Sequence, residues 1–138
     1  MDFELEDIRK FNEKMGFESH ITVTRPTRKR LRERALQLQE EAGEFVDAVE
    51  EGSMVDMADA LIDLVYFAKG TAILMGLPWE ELWQIVQECN MKKEFGKTKR
   101  GIEIDAKKPE DWVGPADRER HTLLLNGWDG KDGWTNQE

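Results

Sequence analysis

A chain of 138 residues with a net charge of −9 is one domain's worth of protein, long enough to bury a core without disulfides. Charged residues make up over a third of it and acids outnumber bases, which argues against binding a nucleic acid polymer through its phosphates. The single cysteine, Cys89, leaves no disulfide framework, no apolar run approaches the roughly 20 residues of a membrane span, and the acidic start MDFELEDIRK does not read as a signal peptide, so the expectation is a cytoplasmic protein without a membrane partner.

Leu5, Ile8, Phe11 and Met15 recur at spacings of three and four, which predicts a short first helix over residues 4–15. GFESHITVTRPT, β-branched and with a proline, reads as an extended linker, and Thr27 stands where an N-cap belongs. Leu31, Ala35, Leu38, Ala42, Phe45, Val46 and Val49 then keep a helical period to Glu51, where Gly52 closes a long second helix. Ser53 caps a third helix that runs to about Met75 before Gly76 and Pro78 end it. After Asp63 this helix is apolar nearly all round, with Lys69 its only charge, so it should be the most enclosed element.

The fourth predicted helix, PWEELWQIVQECNMKKEF, sets Leu82, Ile85, Val86 and Cys89 on one side. Beyond Gly96, glycine, proline and charges alternate with isolated Trp112, Trp128 and Trp134, and the last dozen residues, GWDGKDGWTNQE, read as mobile. No set of alternating strands is visible. The expected architecture is all-α: an antiparallel bundle of about four helices over residues 1–96, with an irregular C-terminal tail, residues 97–138, packed on the same domain.

Carboxylates are threaded through these apolar stripes. On the second helix Glu41 borders the stripe, Glu44 lies one turn on and Glu40 a little further round. On the third, Asp56, Asp59 and Asp63 share a face that Phe67, Gly70 and Leu74 continue. Several ionised carboxylates buried together need a counter-charge, and residues 35–68 contain neither Lys nor Arg. A hard divalent cation remains, and an all-oxygen donor set favours Mg²⁺ or Mn²⁺ over zinc. Acidic stripes are also what solvated helix faces look like, and that reading stands beside the metal. His20 and His121 fit no Glu-x-x-His di-iron frame, no EF-hand loop is present, and LQEEAGE lacks the Arg-Glu that precedes it in a Nudix box.

EEAGE followed by DMADALIDLVYFAKGTAILMGLP resembles the all-α nucleoside triphosphate pyrophosphohydrolases, the MazG-like and phosphoribosyl-ATP pyrophosphohydrolase-like superfamily, which carries Glu-Glu-x-x-Glu on one helix and Glu-x-x-Asp on the next. Glu40, Glu41 and Glu44 match the first motif and Asp63 the aspartate of the second. Ala60 stands three before Asp63, so the remaining carboxylate falls to Asp59, or the frame slides to Asp56 and Asp59. NMKKEFGK is similar to the Asn-Met-x-Lys segment of the phosphoribosyl-ATP pyrophosphohydrolase-like members, which makes Asn90 and Lys93 candidates for contacting nucleotide. Lys97 joins them from the basic run between Lys92 and Arg100.

The resemblance implies hydrolysis of a ribo- or deoxynucleoside triphosphate to its monophosphate and pyrophosphate. Mg²⁺ or Mn²⁺ would sit on Glu41, Glu44, Asp59 and Asp63, and Glu40 would act on the attacking water. It also implies a homodimer or homotetramer, which the nearly all-apolar third helix suggests independently. The alternative is a catalytically silent helical module that binds metal or nucleotide as a sensor or docks a partner.

Overall fold

The structure, a computed structural model, describes residues 1–135. Five helices and one small hairpin follow in the order α1 (Phe3–Met15), α2 (Arg28–Glu51), α3 (Met54–Met75), α4 (Trp79–Asn90), β1 (Glu94–Gly96), β2 (Asp105–Lys107) and α5 (Ala116–Leu125). They form two compact units: Met1–Leu77 with the described residues from Lys131 onward, and Pro78–Gly130.

In the first unit each helix is bounded by local chemistry. Asp2 Oδ1 accepts from Leu5 N at 3.0 Å, Thr27 Oγ1 from Arg30 N at 3.1 Å and Ser53 Oγ from Asp56 N at 3.3 Å, so three N-termini have side-chain caps. Gly16, Gly52 and Gly76 end the same helices in the left-handed region, where a side chain is strained. At Gly76 even a Cβ is excluded, since it would fall 2.0 Å from Thr22 O. The approach arises because the extended linker crosses the end of α3, donating His20 N to Ile73 O (3.1 Å) and Thr24 N to Met75 O (2.8 Å). Carbonyls orphaned by the helix end are thereby satisfied.

α3 packs against both α1 and α2. Leu5 and Ile8 of α1, Ala48 of α2 and Ala60, Ala72, Ile73 and Leu74 of α3 are buried. The burial concentrates in the second half of α3, as its apolar composition predicts. Lys69 is accommodated there by Asp2 at 2.9 Å and Glu4 at 2.6 Å, and its ammonium holds the Asp2 carboxyl below its ordinary pKa.

The second unit departs from the expected four helices and irregular tail. α4 ends at Asn90 instead of continuing through Phe95. Cys89 O, which a longer helix would pair with residue 93, accepts instead from Lys92 N (3.3 Å) and from the indole Nε1 of Trp112 (2.7 Å). The chain then turns into an antiparallel hairpin pairing Glu94 with Lys107, Phe95 with Ala106 and Gly96 with Asp105. Asp105 fastens it by accepting from Thr98 Oγ1 (2.5 Å) and the Arg100 guanidinium (2.7 Å), contacts that hold its pKa at about 2. α5 packs on α4, with Arg118 paired to Glu88 at 2.6 Å. Its leucines bunch at one end, Leu123 to Leu125, so no helical period announces it.

The last dozen residues are expected to be mobile, yet Lys131, Gly133 and Trp134 engage Arg25 of the first unit's linker. Arg25 donates to Lys131 O (3.2 Å) and Gly133 O (2.6 Å), and its guanidinium lies 4.5 Å from the Trp134 ring centre. The expectation for residues 136–138 lies outside the described residues.

Candidate active site

α2 and α3 are joined by the tight Gly52–Ser53 turn and face one another along their length. On α2 the residues turned toward α3 include Arg34, Gln37, Glu41 and Glu44, at spacings of three, four and three. On α3 the corresponding face holds Asp59, Asp63, Phe67 and Thr71. Cation and acid are segregated along this seam. At one end Arg34 Nε donates to Thr71 Oγ1 and Nη2 to Phe67 O, both at 2.9 Å, while its guanidinium lies 5.1 Å from the Phe67 ring centre. A Cβ at Gly70 would come within 2.9 Å of Arg34 Nη2, so the glycine is what lets the guanidinium in.

At the other end Glu41, Glu44 and Asp63 converge, each bringing a carboxylate oxygen within 4.8 Å of the others. Glu41 Oε2 is buried and has no hydrogen-bond partner among the described residues. Desolvation pushes the Glu41 carboxyl above its ordinary pKa, and its approach to Glu44 and the charges of Glu44, Asp63 and Asp59 add to the rise. Asp63 is raised in the same way, first by desolvation and then by Asp59 and Glu44. Without a cation this end of the seam holds negative charge against its own preference.

Asp59 is exposed and outside the three-carboxylate group, yet its charge bears on both raised members. With Glu44, Asp47, Glu51 and Asp56 it lines a hollow of about 230 Å³ between the two helices. Glu40 is exposed and lies further round α2. Asn90, Lys93 and Lys97 belong to the second unit. Asn90 and Lys93 line a hollow of about 390 Å³ with Phe95, Ile104 and Asp105, and Lys93 Nζ lies 5.3 Å from the Trp112 ring centre, with a second lysine, Lys108, at 4.9 Å from the same ring. Lys97 is exposed just past β1.

Two polar residues of the seam were not among the sequence candidates. Arg34 lies one position before the cation-free stretch and gives no sign of its partners, which are on another helix. Gln37 is noticeable only once its amide oxygen is seen buried without a donor.

The donor set fits a hard divalent cation: three clustered carboxylates, one with an oxygen that no described residue satisfies, and no nitrogen or sulfur ligand in the group. Among the described residues no helix is long and apolar enough to cross a membrane. Residues 8–90, more than half of the chain, match the family model described as phosphoribosyl-ATP pyrophosphohydrolase. No curated protein sequence matches the chain.

Proposed function

We propose, for a chain that belongs to the phosphoribosyl-ATP pyrophosphohydrolase family, that its activity is metal-dependent cleavage of a ribo- or deoxynucleoside triphosphate between the α- and β-phosphates. The observation that carries this reading is the convergence of Glu41, Glu44 and Asp63 around the unpartnered Glu41 Oε2. A set of acids that repel one another, held together by two packed helices, is arranged for a counter-ion rather than for stability.

In the proposed reaction a water oxygen joins the α-phosphorus, the bridging P–O bond breaks, and a nucleoside monophosphate and pyrophosphate leave. Mg²⁺ or Mn²⁺ held by Glu41, Glu44 and Asp63, with Asp59 as the fourth carboxylate, would supply charge neutralisation and polarisation of the phosphate oxygens. Glu40 is exposed and one residue from Glu41, so it is free to take the proton of the attacking water. Asn90, Lys93 and Lys97 of the second unit are the nucleotide contacts that the resemblance of their segment suggests: ammonium groups would oppose phosphate charge, and the asparagine offers both a donor and an acceptor.

A second copy of the chain is the partner this reading includes. On α3 Val55, Ile62 and Val65 are exposed, Ile62 to 66%, and α2 exposes Leu36, Val46 and Val49. Exposed apolar side chains on two adjacent helices are what soluble proteins cover by association.

The reading is tested by incubating the purified protein with a panel of ribo- and deoxynucleoside triphosphates and Mg²⁺, and resolving the products. Monophosphate and pyrophosphate in equal amounts, absent with EDTA, are expected. Orthophosphate or tripolyphosphate would assign a different hydrolysis, and no turnover with the cation still bound would make the chain a sensor or docking module.

A further inference from the structure

Gln37 stands one turn before Glu41 on the same face of α2. Its amide oxygen and Glu41 Oε2 are the two buried side-chain polar atoms without a hydrogen-bond partner among the described residues. Leaving an acceptor buried and unpaired costs about 1–3 kcal/mol, so a folded chain retains one where something outside the chain supplies the donor. The neighbouring guanidinium does not supply it: Arg34 donates to Phe67 O and Thr71 Oγ1, and none of its N–H groups reaches the Gln37 oxygen.

The residue type is informative as well. A glutamate at this position would add another charge to a cluster that already repels itself, and a leucine would offer nothing to a ligand. A neutral amide supplies an acceptor at no electrostatic cost. Mg²⁺ bound by carboxylates keeps several waters, and each of those waters has protons that need acceptors.

We propose that Gln37 is a positioning residue of the cation site, its amide oxygen accepting a hydrogen bond from the hydration water of Mg²⁺ or Mn²⁺ held at Glu41, Glu44 and Asp63. The inference rests on the cation reading of the preceding subsection and adds to it a neutral outer partner that no charge pattern reveals. Partners of this kind change cation affinity by about 10–100-fold.

The test is calorimetric titration of Mg²⁺ and Mn²⁺ into the full chain without nucleotide, together with melting temperatures in EDTA, for the parent, Q37L and Q37E proteins. Q37L should bind the cation about tenfold more weakly. Its melting temperature in EDTA should equal or exceed the parent's, because the orphaned acceptor is gone. Q37E, which keeps an acceptor at the same reach, should bind the cation at least as tightly as the parent. A Q37L protein with undiminished cation affinity, or one that melts below the parent in EDTA, would overturn the assignment and leave the cation site standing. Weaker binding by Q37E would overturn it as well. Failure of the parent itself to bind either cation would remove the site, and this inference with it.

Discussion

Replacing Asp63 by asparagine preserves its shape and removes its charge, and the structure makes the two consequences opposite in sign. Asp63 shares a 4.8 Å cluster with Glu41 and Glu44. At an effective dielectric of about 20, unit charges at that distance repel by about 3.5 kcal/mol. Solvent at the exposed Glu44 and at the half-buried Asp63 screens this heavily, and about 1 kcal/mol of relief on neutralising Asp63 is the realistic scale. For a chain of this size that corresponds to a melting temperature about 2–6 °C higher in EDTA. With Mg²⁺ the order reverses. A cation at about 100 times its dissociation constant stabilises the parent by about 2.7 kcal/mol, and loss of a direct ligand should exceed the 10–100-fold effect of an outer partner and remove most of that gain. Differential scanning fluorimetry of both proteins, in EDTA and across a Mg²⁺ series, measures both effects. The D63N protein should melt higher without cation and lower with it. A D63N protein destabilised in EDTA, or one that gains as much from Mg²⁺ as the parent, would refute the reasoning.

Other outcomes follow from particular contacts. Because burial and neighbouring acids raise Glu41 and Asp63 from their ordinary values of 4.5 and 3.8, the cation-free folded chain holds protons that the unfolded chain has released. The cluster's contribution to stability is therefore greatest at acid pH and falls as pH rises through the raised values. In denaturant titrations against pH in EDTA, an E41Q/D63N protein should gain stability relative to the parent as pH rises, and parallel profiles would count against it. Gly76→Ala places a Cβ against the Thr22 carbonyl at a left-handed φ of 63°, and should cost about 2 kcal/mol or more by chemical denaturation. Arg34→Ala removes two hydrogen bonds and the contact over Phe67, and should cost about 2–4 kcal/mol in the same assay. Ile62→Glu charges the exposed apolar row of α3, and light scattering after gel filtration should show a smaller assembly than the parent's; an unchanged mass would place the interface elsewhere.

The parts of the fold that could be read in the sequence are those decided within a few residues. Asp2, Thr27 and Ser53 cap the helices they precede, and Gly16, Gly52 and Gly76 end them. Where α4 stops, Cys89 O accepts from Trp112, 23 residues away in the chain, and no window along the helix contains that contact. The hairpin strands are three residues each, too short to show alternation, and are fastened by the contacts of Asp105 with Thr98 and Arg100. Periodicity also groups Ala42, Val46 and Val49 with the core of α2, whereas the structure exposes them, since a broad apolar stripe does not say which part of it meets which neighbour.

At the candidate site the same division holds. The acids are visible because charge among apolar residues stands out, and helix spacing puts Glu41 and Glu44 on one face and Asp59 and Asp63 on another. Which of them converge depends on how α2 lies against α3. Gln37 is ordinary in the sequence, and its significance comes from a buried amide oxygen without a donor among the described residues.

The most direct measurement is anomalous diffraction from crystals grown with Mn²⁺ and a triphosphate analogue that has a non-hydrolysable α–β bridge. The expected result is a manganese peak within coordinating distance of Glu41, Glu44 and Asp63, with phosphate oxygens beside the α–β bridge completing its shell. Manganese bound elsewhere, or the analogue bound with these three carboxylates left without a cation, would contradict the assignment of this cluster as the catalytic metal site.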